Sequence, residues 1–162
     1  MGTRSDIIIE TPKGKFARLY CHWDGYLKHN GKILHEHYRD AKKRAALLKN
    51  GDLSVLDVEI GEKCPFDSRP EGQCLFYKRD RGDKDCESLV FDTLADAWPG
   101  EDTWTEFTYV WRTDDTGQGD WWVASADEGT QALVLLKDAL EGTAGVDANV
   151  KVPFLGIVGK HA

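Results

Sequence analysis

Short alternating runs of apolar and polar residues set out the elements of this chain. Ile7, Ile8 and Ile9 form one apolar run. From Phe16 to Trp23 a second run alternates, with Phe16, Arg18, Tyr20 and His22 on one side and Ala17, Leu19, Cys21 and Trp23 on the other. The turn-forming stretch Pro12-Lys13-Gly14-Lys15 lies between them, so the two segments are predicted to pair as strands. The odd-numbered set is the more apolar and is expected to face the core. Asp24-Gly25 breaks the second strand. Helical sequence follows from about residue 30 to 38, with Ile33, Leu34, His37 and Tyr38 on one side. Asp40 is placed to cap a second helix over Ala41 to Lys49, and Asn50-Gly51 to stop it.

Residues 52–72, with Pro65, Pro70 and Gly72, read as a long loop. Gln73 to Arg79 reads as a strand, Arg81-Gly82-Asp83 as a turn, and Leu89-Val90-Phe91 as a segment pairing back. Thr93 to Trp98 reads as a short helix stopped by Pro99-Gly100. Phe107, Tyr109 and Trp111 alternate with Thr108, Val110 and Arg112, and Trp121 to Ser125 returns as the second arm of a hairpin. Asp127 is placed to cap a last helix in which Leu133, Leu136 and Leu140 share a face, ended by Gly142. The apolar positions after Thr143 are expected to pack as an extended segment. Strands, helices, strands and a helix in that order predict one α+β domain over residues 1–162, a mostly antiparallel sheet with helices packed on one face.

Charge adds a division that the pattern alone does not show. The net charge of −7 hides 11 Lys+Arg against 5 Asp+Glu in residues 1–50, and 2 against 15 in residues 85–147. A fold that kept these sets apart would attract anions on one side and repel them on another, whereas mixing them only solvates the surface. The isoelectric point of about 5.2 disfavours direct binding of nucleic acid. No apolar run is long enough to span a membrane or to serve as a signal peptide. The cysteines Cys21, Cys64, Cys74 and Cys86 contain no C-x-x-C. These features lead to the expectation of a soluble, reduced, cytoplasmic protein.

The segment Tyr20-Cys21-His22-Trp23-Asp24-Gly25-Tyr26, followed by His29-Asn30-Gly31, carries the densest chemistry. Rings for stacking, His and Asp for hydrogen bonds, and a helix start with free N–H groups can build a ligand pocket. As a structural corner, the same residues would have Asp24 capping a turn and Trp23 filling the core. Arg79 and Arg81, two apart on the expected strand, would face one way and grip a phosphate or carboxylate. Alternatively they pair with Asp80, Asp83 or Asp85 at a solvated hairpin tip. His35 and His37 lie about 200° apart on a helix and cannot share a metal. Cys21 and His22 point to opposite faces of a strand. No phosphate-loop, dinucleotide or serine-hydrolase motif is present. No catalytic residue, metal or cofactor is therefore assigned. The rings Trp104, Phe107, Tyr109, Trp111, Trp121 and Trp122 are expected mainly in the core. Trp121 and Trp122 must face opposite sides, which leaves one of them for the surface or for a homodimer interface.

The blocks Met1-Gly2-Thr3-Arg4-Ser5, His22-Trp23-Asp24-Gly25-Tyr26, Gly51-Asp52-Leu53-Ser54 and Tyr77-Lys78-Arg79-Asp80-Arg81-Gly82-Asp83 occur in this order. In them the chain resembles a family of small, mostly uncharacterised proteins of tailed bacteriophages and prophages. The resemblance covers roughly residues 1–125, departs at Lys78 where the family has Gly, and leaves out residues from Thr130 onward. It implies a phage origin, hence the host cytoplasm, and brings no activity with it. The candidate ligand-binding residues are Arg4, His22, Trp23, Asp24, Tyr26, His29, Asn30, Arg79 and Arg81. The leading expectation is a non-enzymatic anti-defence protein that sequesters a nucleotide-derived small molecule. The alternatives are an acidic, DNA-mimicking inhibitor of a host enzyme or defence protein, and a nucleotide-processing enzyme using His22 and Asp24.

Overall fold

The structure is a computed structural model and describes residues 2–99, 105–114, 116, 118–125 and 133–142. In chain order it contains β1 (Ser5–Glu10), β2 (Phe16–Cys21), a π-turn (Leu27–Gly31), α1 (Lys32–His37), α2 (Ala41–Asn50) and β3 (Leu53–Val55). There follow β4 (Leu75–Phe76), α3 (Tyr77–Arg81), β5 (Leu89–Phe91), α4 (Leu94–Ala97), β6 (Phe107–Thr113), β7 (Gly119–Ser125), β8 (Val134–Leu135) and α5 (Leu136–Glu141). The fold is α+β, built on one eight-stranded, mostly antiparallel sheet in the order β4-β3-β2-β1-β6-β7-β8, with β5 against β2. Two pairings are parallel, β1 with β6 and β2 with β3.

The hairpins β1–β2 and β6–β7 form as the alternation predicts. Asp40 caps α2 by accepting the Lys43 N–H at 3.0 Å, and Gly51 ends it at φ 79°. On one face of the sheet Ile7, Ile9, Leu19, Tyr109, Trp121 and Val123 pack against Leu34, Leu47 and Leu136 of the helices. On the other, Ile8, Phe16, Val110 and Ala124 pack against Leu94 and Ala97 of the single-turn α4. The longer helices thus share one face, and among the described residues α4 is the helix that covers part of the second.

Several expectations are corrected by longer-range contacts. Trp23 does not follow Ala17, Leu19 and Cys21 into the core, because the strand ends at Cys21, and it is 42% exposed. His37 is exposed, while Ile33, Leu34 and Tyr38 are buried. The segment from Gln73 to Arg79 is not one strand. It turns helical at Tyr77, and β5 pairs instead with Phe16–Arg18 of β2. Leu133 belongs to the second-face cluster, and the last helix begins only at Leu136, on the first. Trp121 is fully buried and Trp122 half-buried against the second cluster. The expected cap at Asp127, Trp104 and the segment after Thr143 lie outside the described residues.

One edge of β2 positions the functional region. β5 occupies that edge at Phe16–Arg18, and β3 occupies it at Cys21. Neither reaches Tyr20, whose N–H donates instead to the Asp52 carboxylate at 2.9 Å. The sheet edge is therefore forked, and a side chain bridges the fork.

Candidate ligand-binding cleft

Strand register builds the site. In the β1–β2 pair Asp6 lies opposite Tyr20 and Ile8 opposite Arg18, and continuing the pairing by one step sets Arg4 opposite His22. Side chains two apart share a face, so Arg4, Asp6, Arg18, Tyr20 and His22 stand together. They share the second face with Ile8 and Phe16. Under α4 that face is apolar; beyond it the face is polar and open. There Arg4, Asp6, Arg18, Tyr20, Asp52 and Thr105 line a cleft of about 290 Å³, with Asp85, Glu87 and Leu89 at its border.

Most polar groups in the cleft are already partnered. Thr105 Oγ1 donates to Asp6 Oδ2 at 2.8 Å. Arg18 donates to the Ala97 carbonyl at 2.8 Å and lies over the Phe91 ring. Burial raises the Asp6 carboxyl above its ordinary value, although Thr105 and Arg18 pull it back. Burial, reinforced by the Asp6 charge and opposed by the Tyr20 N–H, raises Asp52 to about 6. Two part-buried carboxyls held above their ordinary values beside open space are a common mark of a functional site.

Tyr20, which lines the cleft, pairs with His22 just outside the lining. Tyr20 Oη lies 2.8 Å from His22 Nδ1. Desolvation, with the nearby Arg4 charge, lowers the His22 pKa, so the ring is neutral. Burial raises the Tyr20 hydroxyl to about 12, so it is protonated in this contact. The His22 ring in turn meets Trp23 edge-on at 4.8 Å. A Cβ on Gly2 would come within 2.6 Å of the Trp23 ring, so glycine is what lets the N-terminal segment lie against it. Arg4 makes no side-chain hydrogen bond or ion pair among the described residues.

The other expected site residues lie elsewhere. Asp24 sits at φ 57° and uses its carbonyl to accept the Asn30 N–H; no hydrogen bond joins its carboxylate to His22. Asn30 is fully buried and donates to Ser5 Oγ, Cys21 Sγ and the Trp23 carbonyl, while its Oδ1 lies 2.9 Å from His29 Nδ1. This is the corner reading of that segment, with Tyr26 exposed beside His29. Arg79 and Arg81 do not share a face, because they are on a helical turn, and neither lines the cleft. Arg79 bonds to Asp80 and to the carbonyls of Ile60, Gly61 and Cys74. Arg81 makes a two-pronged contact with Asp83 and covers Phe66 and Tyr77. Of the nine candidates only Arg4 lines the cleft; His22 adjoins it through Tyr20, and Trp23 through His22. The structure adds Asp6, Arg18, Tyr20, Asp52 and Thr105. Alternation on β2 already exposed the polar set Arg18, Tyr20 and His22; nothing local marked Asp52 or Thr105 as their neighbours.

Asp52→Asn tests this electrostatic picture. Asparagine keeps an acceptor for the Tyr20 N–H and removes the charge. Because the folded-state pKa of Asp52 lies above the unfolded value of about 3.9, its contribution to stability is full in acid. That contribution fades as pH rises through about 6. Thermal unfolding is expected to show the variant gaining on the native protein between pH 5 and pH 7.5; a gap that stays constant over this range would refute the assignment.

Among the described residues no group of three or more His, Cys, Asp or Glu is placed to hold a metal ion, and no helix is long and apolar enough to cross a membrane. No protein-family model matches the chain, and neither does any curated protein or solved structure.

Proposed function

We propose that this is a phage-encoded, non-enzymatic anti-defence protein that sequesters a nucleotide-derived small molecule in the cleft, within the host cytoplasm. Phage origin and compartment rest on the resemblance of the ordered sequence blocks. One observation carries the binding reading: Arg4 is a guanidinium without a side-chain partner among the described residues, lining a cleft together with polar groups. A guanidinium matches phosphate or carboxylate oxygens in two-pronged geometry. Trp23, 42% exposed and outside the cleft lining, meets His22 edge-on and offers a ring for stacking beside the cleft. Sequestration is favoured over turnover because His22 is bonded to Tyr20 and not to Asp24, and because burial pushes the Cys21 thiol to about 12, away from nucleophilic use.

The acidic-inhibitor reading has no comparable support. Asp92 pairs with Lys15, Asp120 with Arg39 and Glu87 with Lys78, so these acidic residues are interleaved with bases.

Thermal unfolding and tryptophan fluorescence against linear, cyclic and ADP-ribose-derived nucleotides test the proposal. A ligand at ~100 times its Kd adds about 2.7 kcal/mol, roughly 5–10 °C in Tm for a domain of this size. Arg4→Ala is expected to weaken the responding ligand at least about tenfold, with unfolding of the free protein changed by no more than about 0.5 kcal/mol. The bound compound is expected to be recovered intact. A flat panel, or full affinity in Arg4→Ala, would overturn the proposal.

A further inference from the structure

We infer that the cleft takes a nucleotide whose two anionic groups stand apart across a ribose, with Arg4 receiving one and Arg18 the other. This rests on the nucleotide reading above and adds to it the spacing of the ligand's charges. Three successive rungs of the β1–β2 ladder present side chains on the face of the cleft. Arg4 and His22 form the first, Asp6 and Tyr20 the second, and Ile8 and Arg18 the third. Alternate residues of a strand are about 7 Å apart, so the two arginines are rooted roughly 13 Å apart along the ladder. Asp52 belongs to the middle rung, because its carboxylate accepts the Tyr20 N–H. Its own N–H donates to the Cys86 carbonyl at 2.7 Å, which sets Asp85 and Glu87 of the border beside it, Glu87 being paired with Lys78. Along the strands the cleft therefore runs from a cation, past carboxylates, to a second cation.

Both guanidiniums have donors to give. Arg4 is partly buried and has no side-chain partner among the described residues. Arg18 spends one N–H on the Ala97 carbonyl at 2.8 Å, and its Nε and Nη2 have no hydrogen-bond partner among the described residues. That bond, with the Phe91 ring against the guanidinium, holds the Arg18 head in place, so less side-chain freedom is lost when an anion arrives. A phosphate over Asp6 and Asp52 meets like charge, which costs affinity, whereas an uncharged ribose there does not. Two phosphates joined as a diphosphate put their charge at one end and leave the other guanidinium unmatched. A nucleoside 3′,5′-bisphosphate and a cyclic dinucleotide both set a ribose between their phosphates and match the two ends together.

Calorimetric titration of the full-length protein at pH 7.5 gives the test. The ligands are the 5′-monophosphate, 5′-diphosphate and 3′,5′-bisphosphate of adenosine and of guanosine, and the cyclic dinucleotides built from them. At least one ribose-separated ligand is expected to bind about tenfold or more tightly than the monophosphate and the diphosphate of the same base. Tight binding of the bisphosphate marks a single nucleoside as the natural ligand, and tight binding of the cyclic compound alone marks a dinucleotide. Arg4→Ala and Arg18→Gln are each expected to cut the preference to about threefold or less. Glutamine keeps an N–H for the Ala97 carbonyl and an apolar stem against Phe91, and the comparison on the native protein decides by itself should that variant not fold. A monophosphate or diphosphate that binds as tightly as every ribose-separated ligand, or a preference unchanged in Arg18→Gln, would overturn the inference and leave the nucleotide reading standing. Absence of binding by all of these ligands and by every nucleotide of the wider panel would overturn both.

Discussion

Asp80→Ala is expected to destabilise the protein by about 3–5 kcal/mol, the usual cost of removing one partner from a buried ion pair. The Asp80 side chain is fully buried against Arg79, and its two oxygens also accept the N–H groups of Cys64 and Phe76 at 3.0 and 2.8 Å. Arg79 ties the same point to the carbonyls of Ile60, Gly61 and Cys74. Together they clasp the loop between β3 and β4 to the start of α3. Urea unfolding is expected to show a midpoint lowered by roughly 2 M, and removing both residues is expected to cost less than the sum of the single losses. Burial alone would raise the Asp80 carboxyl, but Arg79 and the two N–H groups outweigh it and the net shift is downward. Its contribution to stability is therefore present above the unfolded value of about 3.9 and is lost only as pH falls through the lower folded value. The destabilisation should be equal at pH 6 and pH 8. An Asp80→Ala protein that unfolds at the native midpoint would show that the clasp does not hold the loop.

Gly51→Ala is expected to have the second large effect, for two separable reasons. Gly51 has φ 79° and ψ −149°, a conformation that costs a residue with a side chain about 1–3 kcal/mol. Its Cβ would also lie 2.2 Å from the Cys86 carbonyl oxygen, and displacing backbone from a packed site costs a similar amount again. That carbonyl accepts the Asp52 N–H at 2.7 Å, so the change moves both Asp52 and the segment carrying Asp85 and Glu87. Gly82→Ala is the milder reference, since Gly82 has φ 78° and ψ 20°, the left-handed helical region, with nothing within 4 Å of its Cβ. Chemical denaturation is expected to give Gly51→Ala a loss well above that of Gly82→Ala. Equal losses would mean that neither the Gly51 backbone conformation nor the Cys86 contact adds to the cost.

The elements that declared themselves in the sequence are those fixed by local chemistry. Proline and glycine between Ile9 and Phe16, the Asp40 cap and the alternation across Phe107 to Ser125 each specify their structure within a few residues. Where distant groups decide, the local signal misleads. Leu75, Phe76 and Tyr77 have strand character, yet Asp80 reaches back to the Phe76 N–H and the chain turns helical. The cleft divides in the same way. Alternation separated the two faces of β2 correctly, but both faces are used: Phe16 lies under α4 and Tyr20 lies beyond its end. Nothing near Tyr20 in sequence shows that a carboxylate 32 positions later would complete its hydrogen bond. Arg79 and Arg81 have the composition of an anion grip, and their neighbours Asp80 and Asp83 use up that capacity.

The parallel pairing of β1 with β6 joins Ser5 to Phe107, and Thr105 reaches Asp6 across 99 residues. At about 5–20 residues per second, ribosomal synthesis leaves an interval of roughly 5–20 s between these two parts of the chain. During that interval the first hairpin can form, but the Asp6 carboxyl has neither Thr105 nor the neighbouring strand beside it. A nascent or truncated chain ending before residue 105 thus lacks both the Thr105 bond to Asp6 and the strand beside β1, so the cleft's lining is completed only late in synthesis.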